Sequence, residues 1–432
     1  MVMKNLRYLI MMAFLLFNNG LLAQQLIVEV TQGVDSPVPI AVVPFGDSSG
    51  ISSSEDVAAI VGQNLSRSGF FRSMSRQNMM SFPTQEDQVE FRDWRMLNQD
   101  YLVTGRIQSQ SANDVKVTFE LYDVLKEQKM LTQEVSVSRN NLRDAGHFIS
   151  DVIFEAITGI KGAFSTRIVY VTADSQSQRF RLQMADWDGE RTRTILDSNE
   201  PILSPAWSFD GSKLAYVSFE TSRPVIYIQH LAKGQREQIQ SFPGLNGAPA
   251  WSPDGNRLAM VLSKDGNPEI YVLDLRSRDL QRMTQNSAID TEPFWSPDGR
   301  SLFFTSDRGG SPQIYRMDLA SRAVERVTFE GSYNARGRIT QDGRFLTMVH
   351  RGSSRRFQIA VQDLKSGRLD ILTNSDYDES PSIAPNGSIV MYATQENGRG
   401  ILAAVSLDGR VRFNMPVAQG DVREPAWSPF LK

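Results

Sequence analysis

Trp251-Ser252-Pro253-Asp254-Gly255 and Trp295-Ser296-Pro297-Asp298-Gly299 are the same five residues 44 positions apart, and Trp207 to Gly211 differs only in having Phe209 for proline. The glycine returns at Gly211, Gly255, Gly299, Gly343 and Gly387, each time after 44 residues, and another copy begins at Trp427-Ser428-Pro429. A period of this length marks a repeat architecture, in which each unit buries its apolar faces against its neighbours. Within one period, Gly247 to Trp251, Leu258 to Leu262, Ile270 to Leu275 and Leu280 to Thr284 read as strands separated by turn residues. Four strands per repeat make one propeller blade.

In the turn itself, proline presets the backbone of a type I turn, aspartate tolerates the third position and glycine supplies the positive φ that reverses the chain. These residues are therefore expected to be scaffold and not site. Second strands begin near Ile168, Leu214, Leu258, Leu302, Phe345 and Ile389, while first strands end at Trp207, Trp251, Trp295, Ile339, Ile383 and Trp427. The two series are out of step by one. Residues 165–432 thus predict a six-bladed propeller that opens on a second strand and takes the missing first strand from Glu424 to Pro429, which removes two free sheet edges.

Residues 24–164 read differently. Ile40 to Phe45 is a continuous apolar strand, Asp56 to Leu65 has helical spacing, and Tyr101 to Ile107, Val115 to Tyr122 and Met130 to Val137 predict a meander. A closing helix from Leu142 to about Lys161 is expected to bury Phe148, Val152, Ile153 and Ile157. The fold class is an α+β N-terminal domain followed by an all-β six-bladed propeller closed by the C-terminal strand. At its start, Leu26, Val28 and Val30 alternate with Ile27, Glu29 and Thr31, which suits a first strand of this domain or a strand added to a partner's sheet edge; the residues favour the former.

Residues 1–23 carry Lys4 and Arg7 before an apolar run from Tyr8 to Phe17 and contain no acid, which predicts a secretory signal peptide cut after Ala23. The run is too short to span a membrane, so no direct membrane insertion is expected. A net charge of -3 gives no basic face for nucleic acid. The absence of cysteine from an exported chain suits a periplasm better than a disulfide-stapled extracellular setting.

Gly46-Asp47-Ser48-Ser49-Gly50 matches the spacing of a hydrolase nucleophile elbow, but no helix signal follows the serine directly and the domain's only histidine, His147, falls on a helix. A turn leading to a helix cap is the expected reading, so no catalytic residue is assigned. His147, His230 and His350 lack ligand spacing and are each expected to be solvated; no metal or cofactor is assigned. A hydrolase, or a carbohydrate- or metal-binding propeller, remains the alternative to a protein-binding one.

The informative columns precede each first strand. Six residues before the tryptophan position stand Pro201, Leu245, Ile289, Tyr333, Tyr377 and Asp421, and five before it stand Ile202, Asn246, Asp290, Asn334, Asp378 and Val422. If the first strands line a channel, both columns are expected as rings at one mouth, with Glu292, Arg336, Glu379, Arg423 and Glu424 adding charge. Apolar anchors beside polar groups have the composition of a protein interface.

The signal segment, Gly33-Val34-Asp35-Ser36, Pro39 to Phe45, Asn246 to Gly255, Thr291-Glu292-Pro293 and Pro425 to Pro429 together resemble the TolB family over essentially the whole chain. The resemblance implies a monomeric, non-enzymatic periplasmic adaptor of the Tol-Pal system, serving outer-membrane integrity and constriction during division, and a surface that bacteriocins borrow for import. It implies that a channel mouth binds the lipoprotein Pal, with Asn246, Gly247, Ala248, Thr291 and Glu292 carried over by motif, and the columns and charges read above add Leu245, Ile289, Asp290, Asn334, Asp378, Glu379 and Glu424 to that expected site. It further implies an arm, residues 24–35, that binds the C-terminal domain of TolA through Gln24, Leu26, Val28, Val30 and Asp35. Other members carry histidine where this chain has Leu245.

Overall fold

A computed structural model describes residues 29–30, 37–49, 55–174, 177–415 and 420–431. The expected signal peptide, and Gln24, Leu26, Val28 and Asp35 of the arm, lie outside these residues. Strand β1 (Glu29–Val30) pairs with the propeller strand Val411–Asn414, in the register Glu29↔Arg412 and Val30↔Val411. This corrects the reading of the arm as a first strand of the N-terminal domain: the backbone of residues 29 and 30 extends a propeller sheet instead.

The N-terminal sheet runs β4 (Phe71–Ser73), β2 (Val38–Val42), β5 (Tyr101–Ser109), β6 (Asp114–Asp123), β7 (Gln128–Ser138), with β3 (Gly46–Asp47) also on β5. Alternation sends Ile40 and Val42 to one face and Ala41 and Val43 to the other, and both faces are covered, which is why the segment is apolar throughout. Helices α1 (Val57–Arg67) and α3 (Leu142–Thr158) cover the first face, and the short α2 (Phe91–Met96), through Trp94, the second. Asp56 caps α1 by accepting from Ala59 N–H at 3.0 Å. The apolar face of α3 is Leu142, Ala145, Ile149, Ile153 and Phe154. Phe148, expected inside, is 37% exposed, and Val152 and Ile157 are only partly buried. The helix is rotated because Gly146 must meet Ile60 of α1: a Cβ at Gly146 would stand 2.7 Å from that side chain.

Six four-stranded antiparallel units follow. The inner strands are Ile202–Trp207, Asn246–Trp251, Asp290–Trp295, Tyr333–Ile339, Glu379–Ile383 and Asp421–Trp427. The last pairs with Arg167–Asp174, near the start of the propeller, so one blade is built from both ends of the module. The turn glycines have φ of 68° to 75°. In Ser252 to Arg257, the Ser252 hydroxyl donates to Asp254 Oδ1 at 2.5 Å and accepts from Arg257 N–H at 2.9 Å.

The tryptophans have a separate task. Trp207 Nε1 donates to Ala426 O at 3.0 Å, Trp251 Nε1 to Ala206 O at 3.2 Å and Trp295 Nε1 to Ala250 O at 3.1 Å, each reaching the preceding blade. The N-terminal domain's main core runs without a break into the closing blade, where Trp187 stacks on Trp427 at 6.0 Å.

Candidate functional site

Every inner strand carries a β-bulge at the same place. Ser204, Ala248, Glu292, Arg336, Ser380 and Glu424, three residues before the tryptophan position, all have φ between 45° and 55°. Side chains rarely accept this conformation, which costs about 1 kcal/mol or more at each residue. Proline follows in five of the six (Pro205, Pro249, Pro293, Pro381, Pro425), with Gly337 in the other. Proline fits because the inner strand is a channel-facing edge and its missing N–H breaks no ladder bond there.

The bulge puts these six residues in a ring across the channel. Arg336 closes it. Its Nε lies 3.0 Å from Glu292 Oε1, Nη1 is 3.9 Å from Glu424 Oε1 and also donates to Ser380 Oγ, and its backbone N–H donates to Glu292 Oε2 at 2.9 Å. Ser204 N–H donates to Glu424. Burial disfavours the Arg336 charge, but Glu292 and then Glu424 outweigh it and hold its pKa above the ordinary value.

Toward the mouth, the two expected rings separate. Successive residues of a strand point to opposite sides, so the columns five and six residues before the tryptophan position cannot both face solvent. Leu245 is 40% exposed, Ile289 49% and Tyr377 61%. Asn246, Asp290, Asn334 and Asp378 are buried, which corrects their assignment as contact residues of the mouth. Asn246 Nδ2 donates to Phe242 O at 2.7 Å; Asp290 takes Arg308 Nη2 at 2.7 Å; Asn334 Nδ2 donates to Gln313 Oε1 at 2.8 Å; and Asp378 accepts from Ser375 Oγ at 2.5 Å. Asn246 and Asp378 thereby pin the loops that enter their inner strands, Asp290 holds the loop after Ser301–Ser306 of its own blade, and Asn334 ties its strand to Gln313–Asp318 of the preceding blade.

The exposed partners of the apolar rim are one residue further along: Leu203, Thr291, Glu379 and Arg423 are at least partly exposed, while Gly247 is buried. Ala248 and Glu424 belong to the ring below. A recess of about 560 Å³ beside the mouth is bounded by Tyr333, Arg336, Tyr377, Glu379, Asp421 and Arg423. The ring residues Ser204 and Ser380 were not among the expected site positions, and Arg336 was expected only as a charge at the mouth. Their signal was present in the recurring proline two residues before the tryptophan position.

The alternative chemistries fare poorly on geometry. Ser48 is exposed and its hydroxyl donates to Ile107 O at 3.3 Å, and α1 begins only at Val57. His147 and His350 are buried, correcting the expectation that they are solvated; His350 Nδ1 donates to Asn334 Oδ1 at 2.8 Å. His147, Asp186 and Asp188 place possible ligand atoms within 4.8 Å of one another. Four arginines already crowd these carboxylates: Arg67 and Arg143 reach Asp188, and Arg143, Arg167 and Arg191 reach Asp186. The cluster joins α1 and α3 to the closing blade, and the guanidinium charge leaves no place for a cation.

Burial, with Arg143 and Arg191 nearby, lowers the pKa of His147 from 6.5 to about 4 despite Asp188. The folded protein thus keeps this histidine neutral where the unfolded chain takes up a proton. Stability from this group is complete above about pH 6.5 and falls until about pH 4, by about 3 kcal/mol in all. Denaturation midpoints measured across that range are expected to drop less steeply in His147→Gln than in the wild type.

The TolB amino-terminal domain model matches residues 26–130 and the TolB beta propeller domain model residues 154–431. The Tol-Pal system protein TolB of Pseudomonas fluorescens is 59% identical over 406 residues, covering 93% of this chain and 94% of that one. That of Pseudomonas aeruginosa is 58% identical, with the same coverage of both chains. The crystal structure of TolB from Acinetobacter baumannii is 48% identical and superposes with a TM-score of 0.87 over 94% of this chain and all of that chain. With both family models, relatives along nearly the full length and the propeller all in agreement, the chain belongs to the TolB family.

Proposed function

We propose that this protein is a non-enzymatic periplasmic component of the Tol-Pal system, binding Pal at the channel mouth and TolA through residues 24–35. The observation that carries the mouth reading is the exposure of Leu245, Ile289 and Tyr377 around one opening, beside Thr291, Glu379 and Arg423. Large apolar side chains in water cost free energy that a partner recovers by covering them, and polar groups at the rim fix its orientation. The names of the Pseudomonas relatives support membership of the Tol-Pal system. A leader on residues 1–23 supports the compartment.

Calorimetric titration of the mature protein with Pal tests the mouth. Ile289→Asp, and separately Thr291→Ala with Glu379→Gln, whose side chains are at least partly exposed at the mouth, are each expected to weaken binding at least about tenfold with an unchanged melting temperature. Full affinity in both variants would move the Pal site elsewhere. Deleting residues 24–35 is expected to abolish TolA binding in the same assay.

A further inference from the structure

On the turn side of the Arg336 ring, the channel holds an arginine, Arg338, that feels Glu292 and Glu424 across the space but is in direct contact with neither. Where the next blade carries tryptophan, the residue before the tryptophan position is small: Ala206, Ala250, Ser382 and Ala426. Where the next blade has Ile339 or Ile383 instead, it is large, Phe294 and Arg338 respectively. Phe294 is absorbed by apolar packing, stacking on Phe303 at 5.0 Å and lying so close to Gly337 that a Cβ there would stand 2.6 Å from its ring.

Arg338 has no such accommodation. It lines the channel, open to the water inside it, and its Nη1 donates to the carbonyl of Gly337 at 2.7 Å. Among the described residues no carboxylate lies within 4.0 Å of it. The nearby acids are engaged: Glu292 by Arg336 and by Thr305 Oγ1 at 3.1 Å, Glu424 by Arg336 and Ser204 N–H. A guanidinium offers five N–H donors in a planar fork and stays charged at any ordinary pH, so several donors remain for a ligand. The space, about 340 Å³, is lined by Pro253, Pro297, Pro385, Pro429 and the tryptophan rings on the turn side and by the polar ring residues on the other. An ion pair in such a space is screened less than on an open surface.

The geometry points to a second binding site in this half of the channel, for a small oxyanion, a carboxylate or a phosphate group, gripped by the forked donors of Arg338 and walled by proline and indole. It lies beyond the Arg336 ring from the proposed Pal mouth and stands whether or not Pal binds there.

Calorimetric titration of the mature protein with inorganic phosphate, and separately with citrate, at chloride-matched ionic strength, tests it. Saturable binding is expected for at least one of them, weakened at least about tenfold in Arg338→Gln and unchanged in Arg300→Gln on an exposed turn. Binding of phosphate alone identifies a phosphate site, and binding of citrate alone a carboxylate site. No saturation with either, or affinity that Arg338→Gln leaves within about twofold, would overturn the proposal. Selenate soaked into wild-type crystals gives a readout independent of the variant's folding. Where phosphate binds, an anomalous peak within hydrogen-bond reach of Arg338 supports the site, and its absence there refutes it.

Discussion

Ending the chain before Arg423 is expected to give an insoluble or molten protein, not a slightly weakened one. The deletion removes most of the inner strand Asp421–Trp427 and exposes the edge of Arg167–Asp174, to which it pairs from Asp421↔Ala173 to Trp427↔Ile168. It also takes Trp427 out of a buried stack with Trp187, deprives Trp207 Nε1 of the Ala426 carbonyl and opens the ring at Glu424. Deleting one buried aromatic side chain typically costs about 3–5 kcal/mol. With the strand's ladder bonds added, the loss rivals the roughly 5–15 kcal/mol that holds a whole domain together. Loss of near-ultraviolet dichroism with dye binding to exposed apolar surface is the expected readout. A soluble truncated protein with the wild-type melting temperature would refute closure by the terminal strand.

Asp186→Ala is expected to cost about 3–5 kcal/mol, because it strips a buried carboxylate from Arg143, Arg167 and Arg191 and leaves their charges facing one another. Asp197→Ala is the matched control. That carboxylate also meets two arginines, Arg179 and Arg181, but its side chain is 38% exposed, so about 1 kcal/mol or less is expected. Because the Asp186 cluster joins the helices of the N-terminal domain to the closing blade, its loss is also expected to split denaturant unfolding into two transitions. Equal small losses in both variants would show that the buried cluster contributes no more than a surface pair.

The propeller was legible because its signals are local and repeated. Gly255 needs a positive φ whatever surrounds it, and 44 residues between such glycines fix the register of every blade. The strand offset that demands closure from both ends is a matter of counting, and the pairing of Trp427 with Ile168 realises it. The candidate site was legible only in part. Leu245 and Ile289 do stand exposed at the mouth, whereas Asn246, Asp290, Asn334 and Asp378 are buried anchors. The two columns are adjacent in sequence, so strand alternation sends them to opposite sides. The face of α3 was misjudged for a related reason: periodicity gives a stripe, but the close approach of Gly146 to Ile60 decides which edge of that stripe turns inward.

The sequence by itself determined the number of blades, the turn that closes each one, the strand that must come from the far end and the family to which the chain belongs. These follow from φ preferences, alternation and spacing, all properties of neighbours along the chain. The tertiary structure alone decided that Arg336 bridges Glu292 and Glu424, that Arg338 stands in the channel without a carboxylate in direct contact, and that four arginines gather on Asp186 and Asp188. Those residues come from different blades or different domains, and the energy of a charge depends on what lies within a few ångströms of it in space, a distance that no spacing along the chain encodes.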